Sequence, residues 1–277
     1  MKISIITANY NYSIYLNQLF DSIINQDYEN WEHIIVDDGS TDISVKIIND
    51  YVQSDLRIKL IKQNNQGQTK ALNNALRNIT GDIICWINSD DWFFPGAFSK
   101  IVNKFQENPN ADIVYGDAIV YYENSSLVKK RKQLFFDFDL FLYNGFSNCL
   151  FSNSAFWKKK KQDEVGLLND KYKYNMDGEF FPRLFLNSGI KKINYPIAYF
   201  RAHDKSKTIQ NIGKKMSDEY INEINVALIS SLRLKGLNDD IHSINFKTKK
   251  LYFKIIRIFL RFIYGHYFHF KKLIEQK

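Results

Sequence analysis

His33-Ile34-Ile35-Val36-Asp37-Asp38-Gly39-Ser40-Thr41-Asp42 is a short apolar run that stops on two carboxylates, a glycine and three residues suited to capping a helix. A run of β-branched residues bounded by turn chemistry reads as a buried strand, and Ser40, Thr41 or Asp42 can cap the helix that follows. The same pattern returns about 50 residues later, where Ile83–Ile87 stops on Asn88-Ser89-Asp90-Asp91. Further strand-like runs lie at Ile3–Thr7, Ile58–Ile61 and Ile113–Tyr115, with amphipathic stretches at Ile14–Asn25, Ile43–Val52, Thr69–Asn78 and Gly96–Gln106. Strands and helices alternating at this spacing predict βαβ crossovers and an α/β fold with a mostly parallel sheet. Ligands bind such sheets outside the carboxyl ends of the strands. Thr7–Asn11, Asp37–Asp42 and Asn88–Asp91 therefore fall on one rim.

After Asp117 the pattern changes to Tyr- and Lys-rich segments, with a hairpin predicted around Glu123-Asn124-Ser125-Ser126 and loops through Asn144–Asn153. A helix is expected over Met176–Leu186, beginning late or kinking because of Pro182. A strand at Ile193–Phe200 leads into Arg201-Ala202-His203-Asp204-Lys205-Ser206, and from about Lys214 the chain reads as helix.

The composition narrows the classes. With 277 residues, 45% of them hydrophobic, the chain has ample material for a core. Its two cysteines, Cys85 and Cys149, form no CxxC pair, so neither a disulfide framework nor a structural zinc site is expected, and a reducing, cytoplasmic setting is favoured. The first residues, Met1 to Thr7, read as a strand rather than a secretory leader. The net charge of +8 is local: Phe246–Lys277 carries nine Lys/Arg and one Glu, which leaves 29 basic and 29 acidic residues elsewhere. A neutral body argues against a nucleic-acid groove.

The chemistry is narrowed in the same way. There is no GxGxxG and no GxxxxGK[ST], which disfavours dinucleotide and P-loop chemistry. A diphosphate at this rim would be neutralised by another route, and a hard divalent cation on Asp90 and Asp91 would do so. The competing reading is plain turn chemistry at both acidic clusters.

Taken in order, Thr7-Ala8-Asn9-Tyr10-Asn11, Ser22-Ile23-Ile24-Asn25-Gln26, Ile35 to Asp42, Asn65-Gln66-Gly67, Asn88-Ser89-Asp90-Asp91 and Pro95-Gly96 resemble the inverting family 2 glycosyltransferases of the GT-A fold. The likeness is specific to about Asp117. It continues more loosely through Glu164-Val165-Gly166, Met176-Asp177-Gly178-Glu179 and Arg201-Ala202-His203 to about Ser206. The resemblance implies a catalytic unit over 1–212, with a nucleotide-sugar half (1–117) and an acceptor half (118–212), followed by a helical extension over 213–277. It also implies that Thr7, Ala8, Asn9, Asn11 and either Asp37 or Asp38 meet the nucleoside, with Lys70 near the diphosphate. Asn88 and Ser89 occupy the start of the family's DxD position, where Asn in place of Asp removes one charge. Asp90, Asp91 and His203 are then the metal candidates for Mn²⁺ or Mg²⁺. Asp177 falls where the family places its general base, Glu179 is the second candidate, and Asp117 is read either as a donor or acceptor contact or as a turn.

The expected reaction is transfer of a sugar from a nucleoside diphosphate donor, a UDP-sugar first, to a glycan or lipid-linked acceptor. Two rivals are a sugar-phosphate nucleotidyltransferase, which would want a Gly- and Lys/Arg-rich loop that Thr7–Asn11 lacks, and a non-catalytic protein that reads phosphates with its tail. If Phe246–Tyr264 is helical at about 100° per residue, Lys247, Lys250, Lys254, Arg257 and Arg261 fall within roughly 80° of one another, with Leu, Ile, Phe and Tyr around the rest. Such a helix suits the interface of a membrane, at the inner face of the cell membrane, or else packs on the body with its lysines in water.

Overall fold

The computed structural model describes residues 1–134, 137–144, 150–204, 206, 218–237 and 240–263. Its first part follows the alternation of the sequence: β1 (Ile3–Asn9), α1 (Ser13–Ile24), β2 (Trp31–Asp37), α2 (Ser44–Ser54), β3 (Ile58–Lys62), α3 (Gln68–Arg77) and β4 (Ile83–Trp86). β1 pairs in parallel with both β2 and β4, and β2 with β3. β1, β2 and β4 bury apolar residues on both faces because both faces are covered. Ile6, Ile34, Val36, Ile84 and Trp86 pack with Ala71, Leu72 and Ala75 of α3. Ile3, Ile5, Ile35, Ile83 and Cys85 point the other way, onto Leu16, Leu19 and Phe20 of α1.

The second part is β5 (Trp92–Phe93), α4 (Ala97–Glu107), β6 (Ile113–Tyr122), β7 (Leu127–Arg131), α5 (Phe138–Asn144), β8 (Ala155–Lys158), α6 (Lys159–Val165), α7 (Met176–Phe185) and β9 (Ile190–Ala202). The sheet runs β3-β2-β1-β4-β8-β6-β9-β5, with β7 paired to β6. β8 enters antiparallel between β4 and β6, so the sheet is parallel on one side and mixed on the other. The expected hairpin closes β6 to β7 through a tight turn at Glu123–Ser125, with Ser126 at φ +52°.

Three sequence expectations change. β6 runs well past Tyr115, so Asp117 lies inside a strand and not at its end. The strand bulges there, and a Cβ on Gly116 would stand 2.6 Å from both Ile197 Cγ1 and Tyr195 O. α7 begins at Met176 despite Pro182; the missing N–H costs the bond to Gly178, while Leu186 N–H still reaches Pro182 O at 3.0 Å. Finally, α5 and β8, neither of them expected, flank the loops predicted through Asn144–Asn153, of which 145–149 lie outside the described residues.

Two helices follow, α8 (Asp218–Leu234) and α9 (Ile244–Ile263). α9 docks on α5, where Tyr143 stacks on Phe253 at 5.0 Å and meets Phe246 at 5.3 Å. Lys205, Lys207 and the tail after 263 lie outside the described residues. Among the described residues no helix is long and apolar enough to cross a membrane.

Candidate active site

The ends of β1 and β2 build one wall of the rim. Asp37 closes its own turn, accepting from the Ser40 N–H at 2.9 Å, the Ser40 hydroxyl at 2.7 Å and Asn9 Nδ2 at 2.9 Å. Asp38 turns the other way and pins the loop after β3. Its Oδ1 accepts from Gln63 Nε2 and the Gln66 N–H, and its Oδ2 from the Gly67 N–H, all at 2.8 Å. Gly39 between them is at φ +79°, and a Cβ there would sit 2.9 Å from Asn65 N, so the turn needs glycine. Asn11, at φ +56°, takes the Thr41 N–H on its Oδ1 at 2.7 Å and donates its own N–H to the Ser40 hydroxyl at 2.9 Å. Asn9 is buried, and its Oδ1 has no hydrogen-bond partner among the described residues. That orphaned acceptor lies beside the Asp37–Asp38 turn, where a nucleoside N–H or hydroxyl would satisfy it.

Thr7 is corrected. Its hydroxyl donates to Ile87 O at 2.9 Å and lies 3.0 Å from His33 Nε2, wholly inside the sheet. It fastens the strand ends and does not line the rim. Ala8 contributes its carbonyl, which accepts from the Ser89 hydroxyl at 2.9 Å. Lys70 is exposed on the first turn of α3.

The Asn88–Asp91 turn separates its two acids. Asn88 Oδ1 accepts from Gln68 Nε2 at 3.2 Å and Trp86 Nε1 at 3.1 Å, which joins the start of α3 to the turn. Asp91 faces inward: Oδ1 accepts from the Arg201 N–H at 3.0 Å, and Oδ2 from Asn88 Nδ2 at 3.2 Å and Asn153 Nδ2 at 3.1 Å. Burial, with the adjacent Asp90 charge, pushes its carboxyl well above the usual range against the pull of these donors. As a metal ligand Asp91 is therefore corrected to a buried brace, while Asp90 stays at the rim. Asp90 Oδ2 lies 3.0 Å from Nε2 of His203, itself 3% exposed.

This pair fits a divalent cation. Asp90 and His203 would offer it one carboxylate oxygen, the donor that Mn²⁺ and Mg²⁺ favour, and one ring nitrogen. Among the described residues no third His, Cys, Asp or Glu joins them. Two protein ligands would leave the remaining positions to oxygens of a bound diphosphate and water.

Arg201 lies in the Arg201-Ala202-His203 stretch, where sequence reading assigned it no role of its own. Its Nε donates to Asp90 O at 2.9 Å, one NH group to Glu123 Oε1 at 3.0 Å and the other to Gln18 Oε1. Its guanidinium lies between aromatic faces, 4.6 Å from the Trp92 centroid and 4.7 Å from that of Tyr15. Burial and the neighbouring Glu123 push the Tyr15 hydroxyl up to about 12, so it stays a neutral hydroxyl. The sequence signals were its place in Arg201-Ala202-His203 and at the close of a strand that holds Tyr195, Tyr199 and Phe200.

The two base candidates part company on α7. Asp177 is half-buried on the first turn and accepts the Gly178 N–H at 2.8 Å; burial raises its carboxyl despite that donor. Glu179 is locked to Arg183 by a two-point pair, at 2.7 and 2.9 Å. Both of its oxygens are thereby taken up by the guanidinium, which corrects its candidacy. Asp117 is likewise bound inside the sheet, with Lys192 Nζ at 3.0 Å and the Gln133 N–H at 3.0 Å.

Comparison with known proteins bears on the fold and the family. The chain resembles the UDP complex of S. aureus TarS with a TM-score of 0.66 at 20% identity, over 91% of this chain and 70% of that one. The mannosyltransferase PcManGT of Pyrobaculum calidifontis, solved with GDP-Man and Mn²⁺, gives 0.55 at 14%, over 95% and 87%. These likenesses show the GT-A fold. In sequence, the uncharacterized glycosyltransferase alr2836 of Nostoc sp. is 28% identical over 250 residues, 82% of this chain and 77% of its own length. The glycosyltransferase GlyA of Streptococcus pneumoniae is 36% identical over 126 residues, 46% of this chain but only 18% of that protein. The model of glycosyl transferase family 2 matches residues 4–165, more than half of the chain. The chain belongs to glycosyl transferase family 2, and it is a glycosyltransferase with the GT-A fold.

Proposed function

We propose that the protein transfers one sugar, with inversion, from a nucleoside diphosphate sugar to a hydroxyl of a glycan or lipid-linked acceptor, in the assembly of a surface polysaccharide or glycolipid. The observation that carries this reading is the Asp90–His203 pair at 3.0 Å, on the same rim as the unpartnered Asn9 Oδ1 beside Asp38. Neighbours of this fold bind UDP, UDP-GlcNAc or GDP-Man, the last with Mn²⁺. A UDP-sugar is the donor we infer, with Mn²⁺ or Mg²⁺.

Asn9 and Asp38 would hold the nucleoside, Ala8 and Asn11 would shape that wall, and Asn88, Ser89 and Lys70 would flank the diphosphate. Asp90 and His203 would hold the cation, which when bound neutralises charge on the leaving diphosphate. Asp177 would accept the proton of the attacking hydroxyl; its raised carboxyl makes it a better base than an exposed aspartate. Inversion needs no covalent intermediate, only a base opposite the leaving group.

The catalytic unit we infer spans 1–212, with 213–277 as an extension that meets the inner face of the cell membrane. α9 supports this by dividing into three sectors at about 100° per residue. Phe246 and Phe253 dock on α5, Lys247, Lys250 and Lys254 form a basic strip, and Leu251, Ile255 and Phe259 remain 58%, 58% and 62% exposed. A basic strip beside an open apolar strip suits anionic headgroups over acyl chains.

The test is a panel of UDP- and GDP-sugars with Mn²⁺ or Mg²⁺, read as donor hydrolysis and transfer, alongside Asp177→Asn. Turnover of one donor class, with near-normal donor binding and at least 100-fold slower transfer in the variant, is expected. Unchanged turnover in Asp177→Asn would remove the base assignment, and products formed from nucleoside triphosphates and sugar phosphates would replace the reaction.

A further inference from the structure

The rim contains a closed ring of polar contacts: Asp90 O to Arg201 Nε at 2.9 Å, Arg201 to Glu123 Oε1 at 3.0 Å, Glu123 Oε2 to the Tyr15 hydroxyl at 3.2 Å, Tyr15 to His203 Nδ1 at 3.3 Å, and His203 Nε2 back to Asp90 Oδ2 at 3.0 Å. We propose that Tyr15, steered by Glu123 and Arg201, is the positioning residue that presents His203 Nε2 to a bound divalent cation. This rests on the metal reading above.

Counting hydrogens carries the argument. An imidazole that ligates through Nε2 must carry its hydrogen on Nδ1, and that N–H needs an acceptor. The atom facing Nδ1 is the Tyr15 oxygen. It is free to accept only if its single hydrogen is given elsewhere, and Glu123 Oε2 is the place. The other oxygen of Glu123 accepts from Arg201, and the same guanidinium stacks on the Tyr15 ring and holds Asp90 by its carbonyl. One cation therefore orients both halves of the ligand pair. If the Tyr15 hydrogen turns to Nδ1 instead, Nε2 carries a proton toward Asp90 and the pair is closed to metal. The choice made by one hydroxyl separates the two arrangements.

The test uses the whole protein with Tyr15→Phe and Glu123→Gln. Glu123→Gln serves where loss of the hydroxyl perturbs folding; its amide offers Tyr15 a donor in place of a carboxylate and drives the hydroxyl hydrogen toward His203. Mn²⁺ affinity is read by electron paramagnetic resonance in the presence of UDP. The His203 ring is read by nitrogen NMR with Mg²⁺ and UDP, and UDP binding without metal and thermal midpoint serve as controls. In the wild type, His203 is expected as the Nδ1–H form with a hydrogen-bonded proton. Both variants are expected to bind Mn²⁺ about 10–100-fold more weakly and to lose that proton signature, with metal-free UDP binding unchanged. Mn²⁺ affinity within twofold of wild type in both variants, or an Nε2–H ring in the wild-type complex, overturns the proposal. A wild type that takes no Mn²⁺ at all overturns the metal reading beneath it, which is a distinguishable failure.

Discussion

His33 makes the fold acid-sensitive in a calculable way. It is fully buried on β2, with Nε2 3.0 Å from the Thr7 hydroxyl and Nδ1 without a partner among the described residues. Burial lowers it from 6.5 to about 3. The native state therefore stays neutral where the unfolded chain takes up a proton. His33's contribution is fully present above pH 6.5 and is lost as pH falls toward 3, at about 1.4 kcal/mol per pH unit. Between pH 6.5 and 4.5 that is about 2–3 kcal/mol. Glu32, held to about 2 because Ser4, Thr80, Lys59 and Lys2 outweigh its burial, has the same sign but loses its contribution only below pH 4.5, so the two windows separate. Urea unfolding of wild type and His33→Gln at pH 7.5 and 4.5 measures the effect. The variant should be less stable at pH 7.5, by about 1–2 kcal/mol for a disturbed buried contact, yet lose about 2–3 kcal/mol less on acidification. An identical loss in the two proteins would show that His33 does not set this acid sensitivity.

Gly39→Ala should lower stability by about 1–3 kcal/mol, because the position combines φ +79° with a 2.9 Å approach to Asn65 N; isothermal titration should show weaker UDP binding, and an unchanged affinity would separate the turn from the nucleoside wall. Glu179→Gln should cost stability, about 1–3 kcal/mol for a partly buried charged pair, and leave kcat unchanged under saturating donor, since Arg183 already occupies that carboxylate. A collapse of kcat with an unchanged thermal midpoint would restore Glu179 as a base.

The rim was legible where local chemistry marks it. Apolar runs ending in Asp37-Asp38 and Asn88 to Asp91 gave β2, β4 and their turns, because a buried parallel strand and its capping residues are written in adjacent positions. Adjacency could not say which of two neighbouring acids faces out. Asp91 is turned inward by Asn153 and Arg201, 62 and 110 positions away, as well as by the local Asn88, while Asp90 meets His203. Thr7 sat at the right strand end but on its inward side, since its partners are Ile87 and His33 on neighbouring strands. β8 escaped notice because Ala155–Lys158 is four residues long and takes its place only from its neighbours β4 and β6. Glu179 looked available until Arg183, one turn on, was seen to close on it.

In the function proposed above, Asp90 and His203 act together on one cation that a nucleoside diphosphate completes. A double-mutant cycle of Asp90→Asn and His203→Ala, read as Mn²⁺ affinity by calorimetry with UDP present, measures it most directly. Each single variant is expected to weaken Mn²⁺ binding at least 10-fold, and the double variant to be little worse than either. Additive losses, or Mn²⁺ affinity that survives both substitutions, would contradict it.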